Sequence, residues 1–434
     1  MTVTYEPVQV TDPGEVERRY RYYRPRILAW SLAGYAMFYF VRKNLPVAMS
    51  AMEHQLGITK TNLGIFLTLH SLLYGVSKFA NGFLGDRVNA RYFMAAGLLV
   101  SALLNICFGL SATVTALGII WMLNGWFQGM GFPPCARLMT HWFTPKELAT
   151  KMSIWNMSHG LGAAGVFVLC GFLVDHFHDW RTAFFVPAAM AIACSALLFL
   201  YLRDTPQSVG LPEIAGTRET SADVEADFSA LIAERVFGNP YIWILAAANF
   251  FVYTIRYAVL DWTVTMLHES KGVSVANAGL TVAGFEVAGV IGALCAGWMT
   301  DRFFGGRGAR TSVLCMILCA VAIWLFWRVP AGHLWRGAML LMAAGFLVYG
   351  PQALVGISAA NLATKRCAAT AVGLTGIFGY ASGVLSGWGL GALVQHRGWN
   401  SAFAALIVAA GVATIIFLLA WGAPRDGYRD TSPV

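Results

Sequence analysis

Charged residues are scarce in this sequence. Asp, Glu, Lys and Arg make up 12% of its 434 residues, whereas 57% are hydrophobic and the mean hydropathy is +0.60. This charged share is about half of that usual in soluble domains. An ordinary soluble protein is therefore excluded, because its core could not hide so much apolar surface. The apolar residues instead form blocks of about 20 or more, long enough for helices to cross a bilayer.

The sequence also lacks the residue sets of several common functions. Its eight cysteines lie within or beside apolar blocks without neighbouring histidines, so neither a metal site nor a redox motif is expected. No nucleophile has a general base at a suitable spacing, so we predict neither enzyme activity nor a cofactor. The net charge of +8 comes from arginines in short connections and not from one basic domain. We therefore expect no nucleic-acid partner, and a lipid bilayer around the chain.

The arginine-rich connections predict how the chain is oriented. Positively charged loops remain on the cytoplasmic side of a membrane. We therefore expect a multi-pass protein of the bacterial inner (plasma) membrane with both termini in the cytoplasm. The clusters precede the first apolar block and follow the second and the eighth: Arg18, Arg19, Arg21, Arg24 and Arg26; Arg87 and Arg91; Arg302, Arg307 and Arg310.

The apolar blocks predict an all-α membrane protein with twelve transmembrane helices in two pseudo-symmetric six-helix domains. A polar stretch with three arginines and seven acidic residues separates the two sets of six. The expected division is a cytoplasmic leader (1–26), a first domain (27–202), a cytoplasmic linker (203–239), a second domain (240–421) and a cytoplasmic tail (422–434). The predicted helices lie near 27–52, 62–85, 92–111, 113–140, 149–174, 182–202, 240–267, 276–300, 311–329, 335–360, 367–394 and 399–421.

A short motif recurs after the second and the eighth predicted helix. Gly82-Phe83-Leu84-Gly85-Asp86-Arg87 and Gly297-Trp298-Met299-Thr300-Asp301-Arg302 both run from a glycine to an Asp-Arg pair. We predict a conformational latch formed by Asp86, Arg87, Asp301 and Arg302, with an ordinary interfacial charge pair as the alternative. The motif resembles the loop signature of the major facilitator superfamily. That resemblance implies the major facilitator fold of twelve helices in two halves.

Several charges lie inside predicted spans, where an arginine costs about 2.5–3.5 kcal/mol at the helix centre. Arg42 and Lys43 lie in the first helix, and Arg256 occupies the place equivalent to Arg42 in the seventh. Tyr39 and Tyr253 repeat at the same distance along the chain. Because the first helices of two related halves can face each other across a cavity, the two arginines are expected to meet near the midplane. Two facing guanidiniums favour a dianion.

Helical spacing adds groups that suit a phosphoryl ligand. Tyr35, Tyr39 and Arg42 follow one another at steps of four and three, and Tyr74 and Lys78 at a step of four, so each set lines one face. Phenol hydroxyls, an ammonium and planar guanidiniums can donate many charge-assisted hydrogen bonds to phosphate. Arg42, Arg256, Lys78, Tyr35, Tyr39, Tyr74 and Tyr253 form this candidate anion site.

Other interpretations of these residues stay open. The buried cations could be structural partners of Asp261 and Glu286, although four cations outnumber two carboxylates. These acids would then brace helices or neutralise Lys43, and proton coupling is a further role for them. His159 is either a satisfied core histidine or a phosphate donor. Tyr349 and Tyr380 either reach the cavity or pack at helix interfaces.

Longer strings resemble the organophosphate:phosphate antiporter family, which includes glycerol-3-phosphate transporters, hexose-phosphate transporters and hexose-phosphate sensors. The resemblance implies a phosphate held by Arg42 and Arg256, with contributions from Lys78, His159 and tyrosines at positions 35, 39, 74, 253, 349 and 380. It also implies exchange for inorganic phosphate. The strings include Arg42-Lys43-Asn44, Tyr74-Gly75-Val76-Ser77-Lys78, Pro133-Pro134-Cys135-Ala136-Arg137, Arg203-Asp204-Thr205-Pro206-Gln207 and Gly373-Leu374-Thr375-Gly376.

The resemblance leaves the organic substrate open. Hexose-phosphate transporters carry an Asp and a Lys in the eleventh helix, where this chain has Ala371 to Gly376 without charge. We predict an antiporter for hexose 6-phosphate or glycerol 3-phosphate that works by alternating access. The main alternative is a sugar-phosphate sensor that signals to a histidine kinase partner, and a proton symporter is a further rival.

Overall fold

A computed structural model of the chain describes residues 10–85, 87–214, 231–425 and 427. These residues form helices, and the described part contains no β-strand. The helices are α1 (Pro13–Phe40), α2 (Leu45–Leu56), α3 (Lys60–Gly85), α4 (Ala90–Leu110), α5 (Val114–Gln128), α6 (Phe132–Trp142), α7 (Pro145–Phe177), α8 (Thr182–Tyr201), α9 (Pro240–Lys271), α10 (Val275–Phe304), α11 (Gly308–Arg328), α12 (Leu334–Ala381), α13 (Leu390–Arg397) and α14 (Trp399–Leu419).

Two of the predicted spans are interrupted. The predicted helix 27–52 breaks at 41–44, between α1 and α2, and the predicted helix 113–140 breaks at 129–131, between α5 and α6. Each break lies just before a proline, Pro46 or Pro133. Proline lacks a backbone N–H and its ring clashes with the carbonyl four residues earlier, so it often kinks or breaks a helix.

The interruptions reconcile the helix count with the twelve predicted spans. Ten stretches of the described chain are long and apolar enough to cross a membrane. The two remaining spans are built from the shorter pieces α1 with α2 and α5 with α6. Together they make twelve spans, as the sequence predicts.

Helix α12 covers two predicted spans without a non-helical gap. The predicted connection at 361–366 is itself helical. In a straight helix Tyr349 and Tyr380 would lie about 46 Å apart. Instead, the Tyr349 ring lies 4.4 Å from the Arg256 guanidinium and the Tyr380 ring 6.1 Å from the Tyr253 ring. Because Tyr253 and Arg256 are one turn apart, α12 must reverse direction between its two tyrosines.

One end of the bundle, here called the linker face, carries the described parts of the N-terminal segment, of the connection between the halves and of the C-terminal segment. The Val10 N–H donates to the carbonyl of Gly210, at 2.9 Å. Gly427 accepts a hydrogen bond from Arg235 at 2.9 Å and donates one to the carbonyl of Asn361 at 3.0 Å. The opposite end, here called the distal face, carries the connections at 57–59, 178–181 and 272–274.

The two halves touch closely toward the distal face. A Cβ at Gly64 of α3 would lie 2.5 Å from the carbonyl oxygen of Gly387, and one at Gly279 of α10 would lie 2.4 Å from a backbone oxygen of α7. Nearer the linker face of the same two helices, a Cβ at Gly82 or Gly297 would meet no described atom within 4 Å. Among the described residues, the halves are therefore closed at the distal face and show no such close approach at these two glycines toward the linker face.

Polar contacts reinforce the distal closure. The Asp175 carboxylate of α7 accepts from the backbone N–H groups of Val275 and Ala276, at 3.1 and 2.8 Å, and so caps the N-terminus of α10 in the other half. Lys60 of the first half contacts Glu53 at 2.6 Å and Glu269 of the second half at 3.1 Å. The contacts of Asp175 with α10 and of Lys60 with Glu269 must break before the distal face can open.

Candidate anion site between the two halves

The break between α1 and α2 presents two cations at the centre of the bundle. Helix α1 ends at Phe40, and Arg42 and Lys43 follow in a non-helical turn. Pro46 explains this position, because the carbonyl of Arg42 has no N–H partner four residues later. Both side chains are buried, with 8% and 7% of their surface exposed. Broken helices are a common way to build a binding site at the middle of a membrane protein.

Arg42 is surrounded by aromatic rings. Its guanidinium carbon lies 3.9 Å from the centre of the Tyr74 ring and 5.4 Å from that of Tyr39. The Tyr35 ring packs against Tyr39 at 5.7 Å. Cation–π contacts partly compensate a desolvated guanidinium but do not neutralise it. Within the described chain no carboxylate lies within 4 Å of Arg42, so its charge remains available to an anion.

Arg256 lies within the continuous helix α9. Its guanidinium is 4.4 Å from the Tyr349 ring, and one of its nitrogens is 3.6 Å from a carboxylate oxygen of Glu286. That separation is an ion pair but too long for a hydrogen bond. Glu286 is fully buried. Arg256 therefore has a buried acid, Glu286, as its partner, which is the structural alternative considered for these cations.

Lys43 is also paired. Its ammonium donates to a carboxylate oxygen of Asp261 at 2.6 Å, and both side chains are buried. This contact joins the two halves and agrees with the expectation that an acid neutralises Lys43. Of the four membrane-embedded cations, only Arg42 and Lys78 then have no carboxylate partner among the residues that the structure describes.

Lys78 reaches the same region from α3. Its ammonium donates to the Tyr380 hydroxyl at 3.1 Å and lies 4.5 Å from the Phe132 ring. The Tyr380 ring packs edge-on against Tyr74, at 5.0 Å. Lys78 and Tyr74 of the first half therefore contact Tyr380 of the second.

The structure brings all ten predicted binding residues into one connected cluster. From Arg42, contacts pass through Tyr74, Tyr380 and Tyr253 toward Arg256. The Tyr253 ring is 6.1 Å from Tyr380, and the His159 ring is 6.1 Å from Tyr39. Their role in binding substrate stays a prediction. The cluster contains Tyr35, Tyr39, Arg42, Tyr74, Lys78, His159, Tyr253, Arg256, Tyr349 and Tyr380.

Sequence reasoning missed one member of this cluster, Tyr257. Its buried ring lies 5.0 Å from the Lys43 ammonium, 6.0 Å from the Arg256 guanidinium and 5.3 Å from the Tyr253 ring. The signal was present, because Tyr257 follows Tyr253 by four residues and therefore shares its helix face.

The predicted latch lies at the open end of the bundle. Arg87, Asp301 and Arg302 are exposed, and Asp86 lies outside the described residues. Asp301 and Arg302 form no ion pair with any residue that the structure describes. A latch at the linker face would engage when that face closes, so its role stays a prediction.

The fold and its central site define a class of membrane transport protein. Residues 31–387 match the Major Facilitator Superfamily. A bacterial homologue of the human lysosomal transporter Spinster, solved in an inward-facing conformation, superposes with a TM-score of 0.77 over 92% of this chain and 97% of its own, at 16% identity. At that identity the likeness concerns the fold alone. The chain belongs to the Major Facilitator Superfamily.

Relatives place the chain more narrowly and confirm the resemblance to organophosphate transporters. It is 38% identical to a probable hexose phosphate transport protein of Chlamydia trachomatis, over 98% of this chain and 96% of the relative. It is 39% identical to the glycerol-3-phosphate transporter of Bacillus subtilis, over 95% and 96%. It is also 36% identical to the membrane sensor protein UhpC of Salmonella typhimurium, over 97% of each chain.

Proposed function

We propose that this protein exchanges an organic phosphate ester, hexose 6-phosphate or glycerol 3-phosphate, for inorganic phosphate. The observation that carries the proposal is the surplus of positive charge at the centre. Arg42 and Lys78 have no carboxylate partner within the described chain; tyrosine rings lie against Arg42, and the Tyr380 hydroxyl accepts from Lys78. A phosphate dianion supplies the missing negative charge and accepts several hydrogen bonds. Relatives named as hexose phosphate and glycerol-3-phosphate transporters support this substrate class.

One site can serve both substrates of the exchange. A phosphate monoester carries a charge of about −1.5 to −2 near neutral pH, close to that of inorganic phosphate. Without an anion, closing the linker face would bury Arg42 and Lys78 deeper in a low dielectric, which is unfavourable. A bound dianion removes that penalty and shifts the population toward the closed state. The protein then switches its open side only with an anion bound. Each inward movement of one anion is therefore matched by outward movement of another.

The proposal assigns a direction to the two faces. The linker face is cytoplasmic, because the arginine clusters lie on it, and the protein resides in the bacterial inner membrane. The structure then corresponds to the inward-open state. The moving units are the domains 27–202 and 240–421, and the latch residues Arg87, Asp301 and Arg302 meet when the cytoplasmic side closes.

The test is exchange in proteoliposomes loaded with inorganic phosphate. Arg42→Ala should reduce uptake of labelled phosphate by about 100-fold, since it removes charge-assisted hydrogen bonds to the anion. Ser195→Ala is the control, because the Ser195 hydroxyl donates to the Ala95 carbonyl at 2.8 Å between α8 and α4, away from the site. Near-normal exchange by Arg42→Ala would refute the proposal. Competition by glucose 6-phosphate and glycerol 3-phosphate identifies the organic substrate.

A second candidate function is a sugar-phosphate sensor with a histidine kinase partner. The likeness to a membrane sensor protein favours it specifically. The same cation cluster would bind ligand and change conformation without rapid turnover. Counterflow in purified vesicles separates the two functions. Fast counterflow supports the antiporter, whereas ligand-dependent kinase activation with negligible flux supports the sensor.

A further inference from the structure

The helix break beside Arg42 leaves backbone groups that an intact helix would satisfy. In a bilayer no water is at hand to replace those hydrogen bonds, so other protein groups must do so. The carbonyl of Val41 accepts from the side-chain amide of Asn105 on α4, at 3.0 Å, and from that of Asn124 on α5, at 2.9 Å. Both asparagines are fully buried.

A third asparagine completes the network. The Asn44 side-chain amide donates to the Asn105 side-chain oxygen at 2.8 Å and to the Ala183 carbonyl at 2.9 Å. Asn44 directly precedes α2, yet its side chain forms no hydrogen bond to cap that helix. The break is thus tied to α4, α5 and α8 at once.

We propose that Asn105 and Asn124 are positioning residues that fix the Val41 carbonyl and thereby aim the Arg42 guanidinium at the phosphate. Val41 directly precedes Arg42, so the peptide that the asparagines hold sets the direction of the arginine. A site needs its charged groups held closely, because a displacement of about 1 Å can cost about 100-fold in activity. The inference rests on the proposed function, since it names what orients the phosphate-binding arginine.

The second half shows that such support is particular to the break. Arg256 lies within the unbroken helix α9, whose own backbone bonds hold its peptide. The asparagine nearest to it on the same face, Asn249, bonds instead to the carbonyl of Thr375, at 2.9 Å. The two asparagine amides that bond to Val41 therefore fix the backbone beside Arg42, whereas regular helix hydrogen bonds fix the backbone at Arg256.

The first arm of the test measures affinity for inorganic phosphate in the purified full-length protein. Asn124 is the cleaner target, because its amide makes a single hydrogen bond, to Val41. Asn124→Leu should weaken phosphate binding by about tenfold, because it removes the amide donor to Val41. In an Arg42→Lys background Asn124→Leu should have little further effect. Ser195→Ala should leave the affinity unchanged.

The second arm measures amide hydrogen exchange in residues 41–44 and does not depend on phosphate. Asn124→Leu should accelerate exchange there and leave residues 253–257 unchanged. Unchanged amide hydrogen exchange at 41–44 would overturn the positioning role. So would a loss of phosphate affinity from Asn124→Leu that is as large in the Arg42→Lys background as in the unsubstituted protein. If the unsubstituted protein bound no phosphate, the proposed function would fail, and the exchange arm would still decide whether the asparagines hold the break.

Discussion

The two halves of the molecule present equivalent arginines in different ways. Arg42 lies at a helix break, beside a Val41 carbonyl that accepts from two asparagine side chains. It has aromatic neighbours and no carboxylate within 4 Å among the described residues. Arg256 lies in a continuous helix and forms an ion pair with the fully buried Glu286. The two halves thus share the position of the arginine but differ in whether a carboxylate lies beside it. The first half supplies the unbalanced charge, and the second supplies a balanced one.

The largest expected effect concerns the stability of the protein when the arginine of one half or the other is replaced. Arg256→Leu should lower the free energy of unfolding by about 3–5 kcal/mol, because it leaves the Glu286 carboxylate buried without a partner. Arg42→Leu should not destabilise the protein, since it removes a buried charge that has no acidic partner. Thermal unfolding in detergent measures both.

The double variant Arg256→Leu/Glu286→Leu is the matched control. Replacing both members of a buried ion pair by apolar groups is often neutral or stabilising. Its stability should therefore return to near that of the unsubstituted protein, while phosphate exchange stays impaired. Equal destabilisation by Arg42→Leu and Arg256→Leu would remove the distinction between the halves.

A smaller effect is expected from the proline that breaks the first span. Pro46→Ala restores a backbone N–H and lets α1 continue toward α2, which turns Arg42 away from its present direction. Phosphate affinity should fall by about tenfold, because a binding group that is moved from its productive position contributes less. Equilibrium binding of labelled phosphate measures the change.

Pro187 provides the comparison for that variant. It lies inside α8, which continues through it without a break. Pro187→Ala should leave phosphate affinity unchanged. If both substitutions had the same effect, the break at 41–44 would have no special role in binding.

The smallest expected effect lies at the junction between the halves. Asp175→Asn weakens the cap that α7 provides to α10, at a cost of about 1 kcal/mol, so the distal-closed population should fall about fivefold relative to the distal-open one. Distances between labels on the distal ends of α7 and α10 report this shift. Asp179→Asn is the control, because Asp179 bonds within its own half to the Arg181 N–H. A population unaffected by Asp175→Asn would exclude this contact from the gate.

Much of this arrangement could be predicted from the sequence. The repeat in Arg42 and Arg256 was visible as a shared offset, and charges within apolar blocks indicated the candidate site because they are costly there. The breaks were missed because a hydropathy window averages over Pro46 and Pro133. The ion-pair partner of Arg256 was not assignable, because Glu286 lies on another helix whose rotation follows from packing and not from local pattern.

The asparagines illustrate the same limit. Asn105 and Asn124 are each the one asparagine of an apolar helix, and nothing in their spacing indicates a common acceptor. Only the break at Val41 gives them a shared partner. Because the break itself was missed, the network that supports it could not be predicted.

The proposed role of Arg42 is to anchor phosphate as a charge without an acidic partner among the described residues. Its most direct test is the dissociation constant for labelled inorganic phosphate in the purified protein, compared between Arg42→Leu and the unsubstituted chain at neutral pH and fixed salt. We expect the affinity of Arg42→Leu to be at least about 100-fold weaker while the variant remains fully folded. A folded Arg42→Leu protein that binds phosphate within about threefold of the unsubstituted chain would contradict it.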